Sequence, residues 1–329
     1  MSFPHVLVLT YDHEEDPHAA RVCELLAERG ARITMFNPEN FQRTSRVDLF
    51  YLEGAVRRHL HTGGEVVDLE DFTAMWWRRP MPMVPDPALT DKAIAEYTVK
   101  ECQALLTGLW EHLRCPQLPA RESVFRKAGH KPYQLALAAE LGFLIPETVI
   151  TTNGEAFLDF HDRHDGRIIT KPLNIPWVEG VGDGIMVTRP CEPVAARDVT
   201  HTDALRFCPV IVQEQIPKRV ELRVTVVGRQ IFAAEIHSQV ANRARFDWRR
   251  YDTHVTPHLI HHLPDEVAAR CLVLMDRLGL RYGAMDLIVT PDGRYVFLEI
   301  NPNGQWLWIE RLTGLPISEA ICDLLLEGA

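Results

Sequence analysis

Short apolar runs and amphipathic stretches alternate along the first 115 residues of the chain. Val6, Leu7, Val8 and Leu9 are consecutive apolar residues, and 6–10 reads as a short apolar strand. Asp16 then stands at a helix N-cap, Pro17 at the first helical position and Gly30 where that helix stops. Residues 32–36 predict the next strand, and 66–69 and 75–77 two more. Leu105, Leu106, Leu109, Trp110 and Leu113 recur at helical spacing, so 92–113 predicts a long helix. A strand–helix–strand opening points to parallel pairing and an α/β unit.

Prolines at 80, 82, 85 and 87 make 79–88 a stiff irregular connection, and Pro116 and Pro119 mark a second break. The first unit, 1–118, is expected to end there. A helix follows over 130–141, with Pro132 near its start and Gly142 at its stop. Beyond it strands are expected at 148–151, 167–171, 185–188, 210–213, 220–227, 230–239, 282–289 and 294–300. Helices are expected only at 265–278 and 317–326. Strands with segregated helices read as α+β.

The segment 282–300 carries the sharpest signal. Pro291, Asp292 and Gly293 mark a tight turn between two apolar strands. With Asp292 and Gly293 as a two-residue loop, Asp286 lies directly opposite Glu299, and Asn301 shares their face. Like charges so opposed destabilise a sheet, and unpaired charge in apolar strands is costly. A bound Mg²⁺ resolves both problems, since it takes carboxylates together with substrate phosphates. The plain alternative is that each acid pairs with a Lys or Arg, or faces water. A three-residue loop would put the two acids on opposite faces unless a bulge restored the register.

Lys171 ends the strand at 167–171, and Gly180, Gly182 and Gly184 follow within a short segment that leads into another strand. Glycines let backbone N–H groups wrap phosphate, although the same pattern also makes an ordinary turn. A second hairpin turns at Gly228 and Arg229. It places Leu222, Val224 and Val226 on one face and Glu221, Arg223 and Thr225 on the other. Such a polar face suits ribose and phosphate, or simply solvent.

Composition narrows the classes. The chain has 329 residues, 46% hydrophobic and 24% charged, which excludes a disordered or fibrous protein. No apolar run approaches the roughly 20 residues of a membrane helix, and the first ten residues lack a signal peptide's basic start. A net charge of −10 argues against nucleic acid as a partner. Seven cysteines without a CxxC pattern read as reduced thiols in a cytoplasmic protein.

In order, these residues resemble the ATP-grasp superfamily. The motifs are Met75-Trp76-Trp77-Arg78-Arg79-Pro80, Lys131-Pro132-Tyr133-Gln134-Leu135 and Ile169-Thr170-Lys171-Pro172. They continue through Gln213-Glu214-Gln215-Ile216, Glu221-Leu222-Arg223, Asp247-Trp248-Arg249, Asp286 and Leu298-Glu299-Ile300-Asn301-Pro302-Asn303-Gly304. Within the superfamily the chain is similar to the microviridin-type, or graspetide, ligases that crosslink ribosomally made peptides, and more distantly to RimK-like glutamate ligases.

The resemblance implies an N-terminal α/β pre-ATP-grasp domain, 1–118, followed by two α+β lobes, 119–211 and 212–329, that clasp ATP. It implies that Lys131, with Lys127 as its alternative, and Lys171 contact ATP phosphates. Gln213, Glu214, Gln215 and Ile216 would hold adenine, and Glu221 the ribose. Arg249 would meet the γ-phosphate or acyl phosphate, with Arg223 and Lys171 beside it as catalytic residues. Asp286, Glu299 and Asn301 would hold Mg²⁺. The implied partner is a precursor peptide with leader and core, and a homodimer stays open. Its Asp or Glu side chains would be phosphorylated to acyl phosphates, then displaced by a hydroxyl or amine of the same peptide. Arg78, Arg79, Arg243, Arg245 and Arg250 are the candidates to face peptide carboxylates, with the leader near 220–251. Arg78 and Arg79 read equally well as an interface brace packed on aromatics. Trp306 and Trp308 are read as exposed. The competing readings are a ligase that adds a free amino acid, a kinase, and a binding module without turnover.

Overall fold

The computed structural model describes residues 3–11, 16–174, 177–181, 185–240 and 256–327. The α/β start forms as the pattern demands. Asp16 accepts a hydrogen bond from the His18 amide at 3.1 Å and Pro17 opens the helix Pro17–Glu28. Four parallel strands lie in the order Arg32–Phe36, His5–Thr10, Ala74–Arg79 and Gln117–Leu118. Their two faces are both covered. Val6, Val8, Ala74 and Trp76 pack on the Pro17–Glu28 helix, and Leu7, Leu9, Met75 and Trp77 pack with Leu106, Leu109 and Trp110 of the helix Lys92–Glu111.

Several elements escape the sequence patterns. Arg46–Leu52, Ala55–Thr62 and Glu65–Asp68 form a three-stranded antiparallel sheet, where only the last strand was expected. Helices Glu122–Ala128, Gly154–Arg163, Ala196–Thr200 and Leu307–Thr313 and the edge strand His258–His261 are also additions. The strand expected over 230–239 stops at Ile236 and gives way to a 3₁₀ turn at Ser238–Val240.

A four-stranded antiparallel sheet follows, in the order Glu192–Pro193, Ile168–Lys171, Val210–Glu214 and Thr148–Thr151. Beside it Trp177–Val181 pairs with Ile185–Thr188, of which only the second was expected. The last sheet runs His258–His261, Gln230–Ile236, Val220–Val227, Tyr282–Val289 and Tyr295–Asn301, all antiparallel. Leu222, Val224 and Val226 face the helix Asp265–Leu278, and the opposite face carries Glu221, Arg223 and Thr225 as the alternation requires. That polar face is buried rather than solvated.

The closing helix Ile317–Leu326 packs between the first helix and the last sheet, so both ends of the chain share one core. Trp306 lies at its centre and, at 1% exposure, is buried, contrary to the expectation for it. Its indole donates to Ser318 Oγ at 3.0 Å and its ring meets His18, Trp76 and Tyr282. Arg78 stacks over it at 5.1 Å, with its Nε 3.1 Å from Asp16 Oδ2. Arg78 is 1% exposed and so cannot face a peptide, and the bracing alternative describes its position. Among the described residues no helix is long and apolar enough to cross a membrane.

Burial alone would raise Asp16, but the His18 hydrogen bond and the Arg78 charge outweigh it and hold its carboxyl at about 2. Its folded value lies below its unfolded one, so this contribution is present above about pH 4 and is lost as pH falls towards 2. Asp16→Ala strands a buried guanidinium and is expected to cost about 3–5 kcal/mol in urea unfolding at neutral pH. The deficit should shrink as the wild type is titrated below pH 4.

Candidate active site

The site grows from one cross-strand pair. Asp286 sits directly opposite Glu299, and Asn301 lies two residues further on, opposite Ala284. The route to that register differs from the two-residue loop expected. Thr290 N–H donates to Arg294 O at 2.9 Å, closing a three-residue loop over Pro291, Asp292 and Gly293. Gly293 takes φ +84°, a left-handed turn position that glycine occupies without penalty. Near the turn Val289 faces Tyr295 and Leu287 faces Phe297, one step out of phase. Leu298 is then unpaired, a bulge that returns Glu299 to the face of Asp286.

The cations that answer these acids come from three other elements. Arg223, next to Asp286 across the ladder, donates from Nη1 to Asp286 Oδ1 at 2.8 Å. Lys131, at the first position of the helix Lys131–Glu140, brings Nζ to 3.4 Å from Glu299 Oε2 and donates to Pro172 O at 2.7 Å. Lys171, at the end of Ile168–Lys171, lies 3.8 Å from the same Glu299 oxygen. Lys127 instead stacks on the Tyr133 ring at 4.9 Å. Gln134, on the helix face of Lys131, clips that helix to the strand of Glu299. Its amide accepts from Ile300 N–H at 3.0 Å and donates to Ile300 O at 2.8 Å.

Lys131, Gln134, Arg223, Asp286 and Glu299 border a cleft of about 710 Å³, with Arg79, Asn174, Asn301 and Trp308 in its walls. Its far side is built by a close approach. A Cβ on Gly304 would overlap the Ala284 methyl and lie 2.5 Å from Arg223 Nη2, so only glycine fits. Arg223 Nη2 also donates to Gln305 O at 3.3 Å, and Tyr282 Oη to Gly304 O at 2.6 Å. Two residues before Arg223, on the same face, Glu221 is buried against Lys218 at 2.8 Å and accepts from Ser238 Oγ. Burial pushes the Glu221 carboxyl up, against the pull of Lys218. Gln213, Glu214, Gln215 and Ile216 form the passage from the middle sheet to the last one. Gln213 Nε2 donates to Thr148 Oγ1 at 2.9 Å, Glu214 accepts from Glu147 N–H and Gln215 N–H donates to Arg167 O.

The MvdD pre-ATP grasp domain matches residues 5–124. Over 98% of this chain and 99% of its own, the macrocyclase MdnC of Microcystis aeruginosa MRC, solved with its precursor peptide MdnA, is 32% identical with a TM-score of 0.86. The chain belongs to the ATP-grasp macrocyclases. MdnB of the same organism is 30% identical over 98% of this chain and 99% of its own, with a TM-score of 0.80. A RiPP-associated ATP-grasp ligase of Chryseobacterium gregarium, solved with ADP and a leader and core peptide, is 29% identical over 99% and 98%, with a TM-score of 0.90. Among curated proteins none matches.

In this macrocyclase Lys131, Lys171, Arg223, Asp286, Glu299 and Asn301 come together, while Glu221 and 213–216 are not among the residues that line the cleft. Arg243, Arg245, Arg249 and Arg250 lie outside the described residues, as do the glycine segment's 182–184. The contributions of Gln134, Lys218, Gly304 and the Gln305 carbonyl were missed. Only Gln134, three residues from Lys131, had a signal in the spacing. Gly304→Ala is expected to displace Arg223 and cut ATP turnover at least about tenfold, the scale of one lost charge-assisted contact. Gln134→Leu leaves the Ile300 backbone groups unpaired and should lower stability by about 1–3 kcal/mol. Steady-state ADP release and urea unfolding check the two.

Proposed function

We propose that this macrocyclase crosslinks a ribosomally made precursor peptide, using ATP to activate Asp or Glu side chains and releasing ADP and phosphate. The observation that carries the reading is the whole-length likeness, at 32% identity, to a macrocyclase solved with its precursor peptide. The chemistry of the cleft supports it. A carboxylate is a poor acyl donor until its oxygen is made a leaving group. Phosphoryl transfer from ATP does so, and catalysis of that transfer is mostly positioning and charge neutralisation.

Each side chain has a part. Lys131 and Lys171 offer two ammonium groups to the phosphates, and Arg223 a guanidinium to the acyl end. Gln213–Ile216 and Glu221 receive the nucleoside. Asp286, Glu299 and the Asn301 amide oxygen offer the oxygen donors that Mg²⁺ takes, and their opposed carboxylates fit a dication better than they fit each other. Bound there, the ion would neutralise phosphate charge. In this reading lobes 119–211 and 212–329 hold the nucleotide, and unit 1–118 meets the peptide. Arg79 is exposed in the cleft wall and makes no ion pair among the described residues, which suits it to the peptide carboxylate. All seven cysteines are free, as a cytoplasmic enzyme keeps them.

Incubation with ATP, Mg²⁺ and the precursor encoded beside it tests the reading by intact mass. The expected product has lost whole waters, and Glu299→Gln is expected to lower its rate at least about 100-fold. A mass gain equal to an amino acid would name a free-amino-acid ligase instead. A stable gain of phosphate would name a kinase.

A further inference from the structure

A second cavity, larger than the nucleotide cleft at about 1030 Å³, opens at the carboxyl ends of the parallel strands. The chain leaves His5–Thr10 for the strand on one side, Arg32–Phe36, and later returns on the other, at Ala74–Arg79. The crevice therefore sits at the sheet's topological switch point, where open α/β sheets bind ligands. Thr10, Phe36, Trp77 and Arg79 line it at the strand ends, and Phe125 closes it from the neighbouring helix. Arg79 and Asn303 border both cavities, so the two are neighbours.

The charges inside are unequal. Glu122 is neutralised by Arg126, whose Nε donates at 2.6 Å. Glu39 also lines the crevice, yet among the described residues its carboxylate has neither an ion pair nor a hydrogen-bond donor. Its backbone is fixed, with N–H on Asn37 Oδ1 at 3.1 Å and O accepting from Val84 N–H at 3.1 Å. A carboxylate with no partner among the described residues, set above aromatic walls, suits a side chain with an apolar stem and a hydrogen-bond donor at its tip.

We propose that this crevice lodges the nucleophile-bearing side chain of the peptide, its O–H or N–H end on Glu39, while Arg79 at the junction holds the carboxylate to be activated. The proposal rests on the crosslinking reading and assigns its second substrate arm. In the step it serves, the nucleophile's oxygen or nitrogen bonds to the acyl carbon. The carbon–oxygen bond to phosphate breaks, and phosphate departs with the electron pair and the proton the nucleophile sheds. Glu39 is a binding residue that brings the arm to the acyl phosphate.

The test separates the two half-reactions. Enzyme, ATP, Mg²⁺ and precursor are mixed with hydroxylamine, which competes for the acyl phosphate and leaves a hydroxamate. In Glu39→Gln the ratio of rings to hydroxamate is expected to fall about tenfold or more, the scale of a lost charge-assisted hydrogen bond. A general loss of fold or of ATP binding would lower both products together. An unchanged ratio in Glu39→Gln overturns the proposal, and so does a parallel fall of both products. If the wild type makes neither product, the crosslinking reading falls and takes this one with it. Glu39→Lys tells the donors apart: it should close rings worse than Glu39→Gln when the peptide nucleophile is lysine, and equally when it is serine or threonine.

Discussion

Two carboxylates face each other across neighbouring strands, and most of the cleft is an answer to that placement. Two like charges about 5 Å apart repel by roughly 3 kcal/mol at an effective dielectric near 20, before desolvation is counted. Asp286 and Glu299 are nevertheless held there by a ladder buried on its other face against Val267, Leu274 and Met275. Arg223 comes from the same sheet, Lys131 from a helix and Lys171 from the middle sheet, so relief of the repulsion also draws three elements onto one spot. The same charges set positive groups on one side of the cleft and oxygen donors on the other.

The pair was legible because burial and register both leave traces in sequence. Apolar neighbours made the strands at Tyr282–Val289 and Tyr295–Asn301 evident, and the turn residues placed the hairpin. The turn itself was misread by one residue, since Asp-Gly suggests a two-residue loop and Thr290 closes a wider one. The error cancelled at Glu299 through the bulge at Leu298. Nothing in an apolar run marks which of its residues will be left unpaired, so the bulge could be required by the chemistry but not located. The missed sheet at 46–62 has a different cause. Its hairpin exposes Phe50, Tyr51 and Val56, so the usual alternation of apolar and polar residues is blurred.

Arg78 and Arg79 show the same limit at the other wall of the cleft. In sequence they are a basic pair, and an even strand would send them to opposite faces. Here Leu9 faces Trp77 and Thr10 faces Arg79, so Arg78 is the residue the ladder skips. It turns inward to Asp16 and Trp306, and Arg79 is delivered to the junction of the two cavities. The inward arginine joins the first helix to the segment just after the metal candidates. Trp306, two residues past Gly304, is thereby anchored to the first unit while Gly304 leaves room for Arg223.

The two irregularities therefore frame the cleft from opposite sides, one at Arg78 and one at Leu298. The break at Leu298 sits where a regular strand would point a charged residue the wrong way, whereas Arg78 keeps the face of Trp76. A straight ladder at residue 78 would shift the register of the arginine at the cavity junction. A straight ladder at residue 298 would bury Glu299 among Leu287 and Phe297 and separate it from Lys131 and Lys171. Alternation is what makes such strands readable, and the site is assembled by breaking it at two positions. Sequence periodicity accordingly outlines the scaffold well and becomes least reliable at the candidate site residues.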